Sequence, residues 1–236
     1  MIEGMRHAFD IYGYDKKLGW SFATSRAIHR IGRDVEPYQY LLEMVDGPIF
    51  VCVPTPMNPD GSCNTDIVES VVLGIDKAAR KRQYCSHRPV VCIKSTVPPG
   101  TTQMLNDSCS EIVVCFNPEF LREANPVEDL KNHNRIIVGG PREGTSLLKQ
   151  MYDKAYPDVP LTKTGSSTAE MVKYMTNTFL AVKVALSNEF KQICDKLEDV
   201  DYDKVVEYAT KDNRLGKSHW AVPGPDGKLG FGGSCF

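Results

Sequence analysis

The chain has 236 residues, 42% of them apolar and 25% charged, with 28 basic against 30 acidic side chains and a formal net charge of -2. That length can bury a real core in one large domain or two modest ones, and the even charge balance gives no support to nucleic-acid or anionic-membrane binding. The apolar runs are too short to span a bilayer and the N-terminus lacks a signal-peptide pattern, so the expected address is the cytoplasm.

In chain order, residues Met1–His7 read as the tail of a helix, and Ile11–Asp15 as a first apolar strand. Further short β-rich runs follow at Ile49–Val53, Val90–Lys94, Ile112–Phe116 and Arg135–Val138, with helical periods between some of them, notably Asp66–Arg82 and Gly144–Lys154. Strands alternating with helices favour a parallel sheet built of β-α-β units. From Ser166 to about Leu197 the pattern changes. Ser167-Thr-Ala-Glu170 fits a capping box, and Met171, Tyr174, Met175, Phe179, Val182, Leu186, Phe190 and Ile193 recur at a helical period without proline or glycine. About 30 residues at about 1.5 Å each predict a helix of roughly 45 Å, suited to a domain boundary or a dimer contact. A shorter helix is expected over Tyr202–Thr210 and a Gly/Pro-rich loop over Val222–Phe236. The expected fold is α/β: an N-terminally truncated Rossmann-like parallel sheet over 1–165, then a long-helix all-α dimerisation domain over 166–236, with the boundary near Gly165.

The eight cysteines, Cys52, Cys63, Cys85, Cys92, Cys109, Cys115, Cys194 and Cys235, include no C-x-x-C pair. Cys52, Cys92 and Cys115 fall in strand-like apolar runs, where a free thiol serves as a small hydrophobe. Neither a metal site nor a disulfide framework is expected.

Several segments have the residue types for chemistry. Asp15 ends the first strand, where a dinucleotide-binding fold places an acid on the adenosine ribose, about 20 residues past a G-x-G-x-x-G turn. Only 14 residues precede it, so there is no room for that turn, and local sequence alone favours a solvated turn aspartate. Val53-Pro-Thr-Pro56 and Lys94-Ser-Thr-Val-Pro-Pro-Gly-Thr101 each follow a strand with prolines that cannot extend the ladder, which fixes rigid loops at the edge where open α/β sheets bind ligands. Asn117-Pro-Glu-Phe-Leu-Arg-Glu123 makes a third such loop, in which Glu119 and Glu123 read either as site carboxylates or as surface glutamates. Lys173 and Asn177 share a helix face, as an oxyanion-stabilising pair or as a solvated stripe. In Gly230-Phe-Gly-Gly-Ser-Cys235-Phe236, glycines before a thiol let backbone amides crowd a nucleophile and lower its pKa.

In order and spacing, the motifs VPTP, STVPPGT, NPEFLRE, EMVKYMTNTFLA, RLG and GFGGSCF resemble the nucleotide-sugar dehydrogenases, which include the UDP-glucose, GDP-mannose and UDP-N-acetylhexosamine dehydrogenases. The resemblance covers nearly the whole chain, and Val222–Lys228 looks closest to the UDP-glucose branch. It implies NAD as cofactor, touched by Asp15, Val53, Thr55, Ser95, Thr96 and Glu123. The sugar nucleotide would be held by Glu119, Phe120, Leu121, Lys173, Asn177, Arg214, Phe231 and Gly232. Cys235 would be the nucleophile of a two-step oxidation of UDP-glucose to UDP-glucuronate, Lys173 and Asn177 would stabilise the oxyanion, and Glu119 with Thr96 would position or activate water. A homodimer through the long helix is implied, with Arg214 reaching across it. Relative to that family, the glycine turn upstream and the Pro-Lys-Asp sequence and second α/β domain downstream are expected to be missing, and this polypeptide alone is expected to have negligible activity. Two other readings compete. One is a single-oxidation dehydrogenase of the 6-phosphogluconate and 3-hydroxyacid type, which shares the Lys/Asn pair but needs no cysteine. The other is a non-catalytic remnant that only dimerises.

Overall fold

The computed structural model describes residues 5, 7–17, 19–23, 28–32, 37–44, 46–81, 87–121, 128–129, 132–225 and 227–232. They pack as two compact units, the first running to Lys173 and the second from Tyr174 onward.

The first unit is built on a five-stranded sheet of β4 (Ile49–Val51), β5 (Val90–Ile93), β6 (Val113–Phe116), β7 (Ile136–Gly139) and β8 (Leu161–Thr164), which lie side by side in chain order. Pairing is parallel at β4/β5, β5/β6 and β7/β8 and antiparallel only at the single Phe116–Gly139 register of β6/β7. Parallel neighbours require crossovers, and helices supply them: α2 (Asp66–Ala79) between β4 and β5, α3 (Thr101–Ser108) between β5 and β6, and α4 (Arg142–Ala155) between β7 and β8. A further helix, α1 (Pro37–Met44), precedes β4.

Alternation along the central strands divides the core into two layers. Val91, Ile93, Val114 and Phe116 face a cluster with Leu42 of α1, Val68, Val72 and Ile75 of α2 and Leu105 of α3. Val90, Cys92, Val113 and Cys115 face the other way, onto Leu148, Tyr152 and Ala155 of α4 and onto Met5. Every residue of β5 and β6 is buried, which is why these strands read as continuous apolar runs rather than as alternating ones. Cys92 and Cys115 are buried free thiols, as expected of small hydrophobes. Cys52 differs: β4 stops at Val51, and Cys52 is exposed.

The first predicted strand is a correction. Ile11–Asp15 (β1) lies outside the parallel sheet, in a three-stranded antiparallel sheet with β2 (Gly19–Ala23) and β3 (Ile28–Gly32). The turn from β1 into β2 begins with Lys17 N–H donating to Asp15 Oδ1 at 2.7 Å, a local bond that favours reversal of the chain over a crossover. Arg82, at the end of the second predicted helix, lies outside the described residues.

The long helix α5 (Ser166–Cys194) has 29 residues and runs through the point where the units divide. Its first turn belongs to the sheet unit, where Ala169 is part of the core. Gly139 at the end of β7 admits this turn: a Cβ there would stand 2.7 Å from Ala169 Cβ and 2.8 Å from Gly165 O. In the second unit the described elements are all helical: the rest of α5, α6 (Tyr202–Ala209) capped by the Asp201 carboxylate, and a 3-10 turn over Asn213–Leu215. Helix α5 has its faces reversed relative to an ordinary surface helix. Glu170, Lys173, Lys183, Ser187 and Asn188 are buried, while Met175, Phe179, Val182, Leu186, Phe190 and Ile193 are exposed. Among the described residues no helix is long and apolar enough to cross a membrane.

Candidate active site

Three loops leave the carboxyl ends of β4, β5 and β6, and their backbones are tied to one another. Ser95 Oγ accepts from Val53 N–H at 2.9 Å and donates to Val53 O at 2.7 Å, so its only proton is committed to joining the first two loops. Thr55 and Thr96 are half-buried at the same edge, and Thr96 O accepts a weak bond from Cys63 Sγ at 3.9 Å. Gly100, which ends the second loop, has φ +101°, with no protein atom within 4 Å of a would-be Cβ. A glycine is needed there for its left-handed backbone.

The third loop is anchored at Asn117, which is 2% exposed. Its Oδ1 accepts from Lys94 Nζ at 2.8 Å and from Tyr152 O–H at 2.5 Å, and its Nδ2 donates to Ile137 O at 2.7 Å. Both polar atoms of the side chain have partners, as burial requires. Desolvation by burial pushes the Tyr152 phenol well above 10.0, so it remains a hydrogen-bond donor throughout the physiological range. Two residues beyond, Glu119 is exposed, and Phe120 and Leu121 are half-buried. Lys173, 6% exposed, donates from Nζ to Glu119 O at 2.5 Å and stands 5.7 Å from the Phe120 ring centroid; the Arg135 guanidinium lies 4.3 Å from that centroid. Lys173 is therefore not part of a solvated stripe. Its ammonium is desolvated and held against the glutamate loop. Asp15, by contrast, is in the antiparallel sheet and not at the tip of a parallel strand, which separates it from the strand position expected of a ribose acceptor.

In the second unit Asn177, half-buried, follows Lys173 by one turn of α5. Arg214 is on the 3-10 turn and pairs with Asp212, with Nε at 3.0 Å from both carboxylate oxygens; hydrogen bonding from Arg214 holds the Asp212 carboxyl below its ordinary value. That turn rests on Lys183, whose Nζ donates to Leu215 O at 2.8 Å and Gly216 O at 3.2 Å and sits 4.6 Å from the Trp220 ring centroid. Desolvation holds the Lys183 pKa below 10.5. Phe231 and Gly232 are exposed, in a loop pinned where Gly230 N–H donates to Asn188 Oδ1 at 3.1 Å. Glu123 and Cys235 lie outside the described residues.

Residues 43–156 match the NAD binding domain of the UDP-glucose/GDP-mannose dehydrogenase family, and residues 167–236 match its central domain. The chain belongs to the UDP-glucose/GDP-mannose dehydrogenase family. The first match makes NAD the cofactor of the sheet unit; it begins at residue 43, so β1, β2 and β3 lie outside it. UDP-glucose 6-dehydrogenase YwqF of Bacillus subtilis is 34% identical over 195 residues, covering 80% of this chain and 41% of that protein. Among solved structures, a UDP-glucose dehydrogenase from Pyrobaculum islandicum aligns with a TM-score of 0.74 and 32% identity over 88% of this chain and 47% of that one. A ternary complex of GDP-mannose dehydrogenase from Pseudomonas aeruginosa aligns with a TM-score of 0.67 and 27% identity, over 82% and 45% respectively. This member of the family thus spans less than half the length of the relatives it matches.

Sequence reasoning missed two buried charges and an amide. Glu170 reads as the acid of a capping box on its own helix, yet its carboxylate accepts from Gly100 N–H at 2.6 Å and Thr102 N–H at 2.8 Å, at the start of α3. Lys183 had a visible signal, since Leu180-Ala-Val-Lys-Val-Ala-Leu186 gives a lysine no polar neighbours in sequence. Asn188 had none.

Proposed function

We propose that this chain is part of an NAD-dependent nucleotide-sugar dehydrogenase that oxidises a sugar alcohol to a carboxylate in two steps, with UDP-glucose to UDP-glucuronate as the favoured reaction. The observation that carries the proposal is the Lys173 ammonium, buried and bonded to the backbone of the Asn117–Leu121 loop: a fixed cation beside a glutamate loop at the ligand-binding edge of an NAD domain. The half-buried Thr55 and Thr96 offer hydroxyl groups at that edge, which fit the ribose and carboxamide of NAD, on loops that Ser95 braces through Val53. Bound NAD would receive one hydride in each step.

The residues of the chain would then act as follows. Val53, Thr55, Ser95, Thr96 and Glu123 position the cofactor, while the role expected of Asp15 requires an arrangement other than the antiparallel sheet it occupies. Glu119, Phe120, Leu121, Arg214, Phe231 and Gly232 hold the sugar nucleotide. The C6 alcohol loses a proton and a hydride to give an aldehyde. The Cys235 thiolate adds to the aldehyde carbon, and the resulting oxyanion, stabilised by Lys173 and Asn177, takes up a proton to give a thiohemiacetal. Loss of a second hydride together with the hydroxyl proton leaves a thioester. Water, positioned by Glu119 and Thr96, cleaves the C–S bond, releasing the carboxylate and regenerating the thiol. The exposed apolar line on α5 supports a homodimer formed through that helix, and the free buried thiols support a reducing compartment, the cytoplasm.

The test is stoichiometric. Full-length protein given UDP-glucose should form two NADH per sugar, and Cys235→Ala should form no carboxylate. One hydride per sugar would favour the single-oxidation class, and oxidation of no nucleotide sugar would sink the proposal.

A further inference from the structure

The first turn of α5 does more than begin a helix. Helix α3 starts at Gly100, which has no side chain to cap the free amides of its first turn. The cap comes instead from Glu170, which is fully buried and 68 residues from Thr102 in sequence; its two oxygens accept from the Gly100 and Thr102 amides. Such bonds to a carboxylate are about twice as strong as neutral ones, and the helix dipole favours the negative charge. One turn along α5, Lys173 bonds the carbonyl of Glu119. Glu170 therefore holds the loop after β5, and Lys173 the loop after β6. The tie continues outward, because Ser95, in the loop that Glu170 anchors, fixes both backbone groups of Val53 in the loop after β4. The helix itself cannot shift easily, since Ala169 is wedged against Gly139.

We infer that Glu170 is a positioning residue for the cofactor: it locks the Lys94–Gly100 loop, and through Ser95 the Val53 loop, in the geometry that NAD meets. Because the carboxylate fills the α3 amino end, that end is closed to the cofactor's diphosphate. The inference rests on the NAD reading given above, and its test separates the two.

Amide hydrogen exchange at Gly100 and Thr102 and calorimetric NAD titration would be measured on the unsubstituted chain, Glu170→Gln and Glu170→Ala, with the Val91 amide as the internal standard. In Glu170→Ala, exchange at Gly100 and at Thr102 should quicken about 100-fold, matching the loss of one bond to a charged group at each amide, while the standard amide holds. The NAD dissociation constant should rise about tenfold. Glu170→Gln, which keeps one good acceptor, should fall between on both measures, and it decides the matter if Glu170→Ala does not fold. Unchanged exchange at both amides overturns the lock, whatever the cofactor does. Faster exchange with unchanged NAD affinity overturns the positioning role. Absence of NAD binding by the unsubstituted chain overturns the cofactor reading and the inference with it.

Discussion

Asn117→Ala tests how the glutamate loop is held in place. The substitution removes the acceptor of the Tyr152 hydroxyl and the donor to Ile137 O. Leaving each without its partner costs about 1–3 kcal/mol. Lys94 loses its 2.8 Å bond to Oδ1, but it is only half-buried and keeps the Asn117 carbonyl at 3.4 Å, so its share is discounted to below about 1 kcal/mol. The expected loss is about 2–7 kcal/mol, a large part of the ~5–15 kcal/mol that stabilises a typical protein. Urea unfolding followed by tryptophan and tyrosine fluorescence would measure it. Tyr152→Phe makes the test specific. In the native background it should cost about 1 kcal/mol, and in the Asn117→Ala background it should be neutral or stabilising, because it removes a hydroxyl that has lost its partner. A loss under about 1 kcal/mol for Asn117→Ala, or simple additivity of the two substitutions, would refute this account of the loop.

Three further outcomes are expected. Burial raises the thiols of Cys109 to about 11 and Cys115 to about 12, and those of Cys92 and the Tyr152 phenol well above 9.0 and 10.0. Above pH 9 the unfolded chain therefore gives up protons that the folded chain keeps, and stability should fall steadily from that pH. Lys183, held below 10.5, opposes this as a single group; a denaturation midpoint that is flat or rising between pH 8.5 and 10.5, a window of about two units, would contradict the burial of these groups. Gly144→Ala would put a Cβ 2.4 Å from Cys115 Sγ and should cost about 1–3 kcal/mol by urea unfolding, with Cys115→Ala in the same chain recovering part of the loss; no cost would mean that α4 stands farther from β6 than described. Phe179→Glu, in the exposed line of α5, should shift the sedimentation coefficient from dimer to monomer, weakening association more than about tenfold; an unchanged coefficient would remove that face from the contact.

The parts of the fold most legible in the sequence were those where one environment governs a whole segment. Strands β5 and β6 are buried on both sides and so are apolar throughout, and helices α2 and α4 show their period because one side packs on the sheet. Strand β8 was not legible: Leu-Thr-Lys-Thr is an edge strand with two exposed residues, and its pairing comes from β7 rather than from its own composition. Helix α3 has only Met104 and Leu105 as large apolar residues, and its cap is distant in sequence. Asp15 was placed in the parallel sheet because an acid at a strand end reads alike whether a crossover or a hairpin follows; the hairpin partner Gly19–Ala23 decides it. In the candidate site, residue types and loops were readable, but Glu170 was misread because a carboxylate three residues into a helix matches the capping pattern whichever way it points. The reversed faces of α5 were hidden for a similar reason, since periodicity reports that a face is apolar and not what covers it.

That reversal makes a dependence on abundance the signature of the proposed dimer. When copies are scarce, the greasy row from Met175 to Ile193 must face water, and nothing within α5 offsets the cost. In the homodimer proposed above, mutual shelter of that row would add to folding by mass action, so the melting temperature should climb with concentration and dilution should act as a mild denaturant.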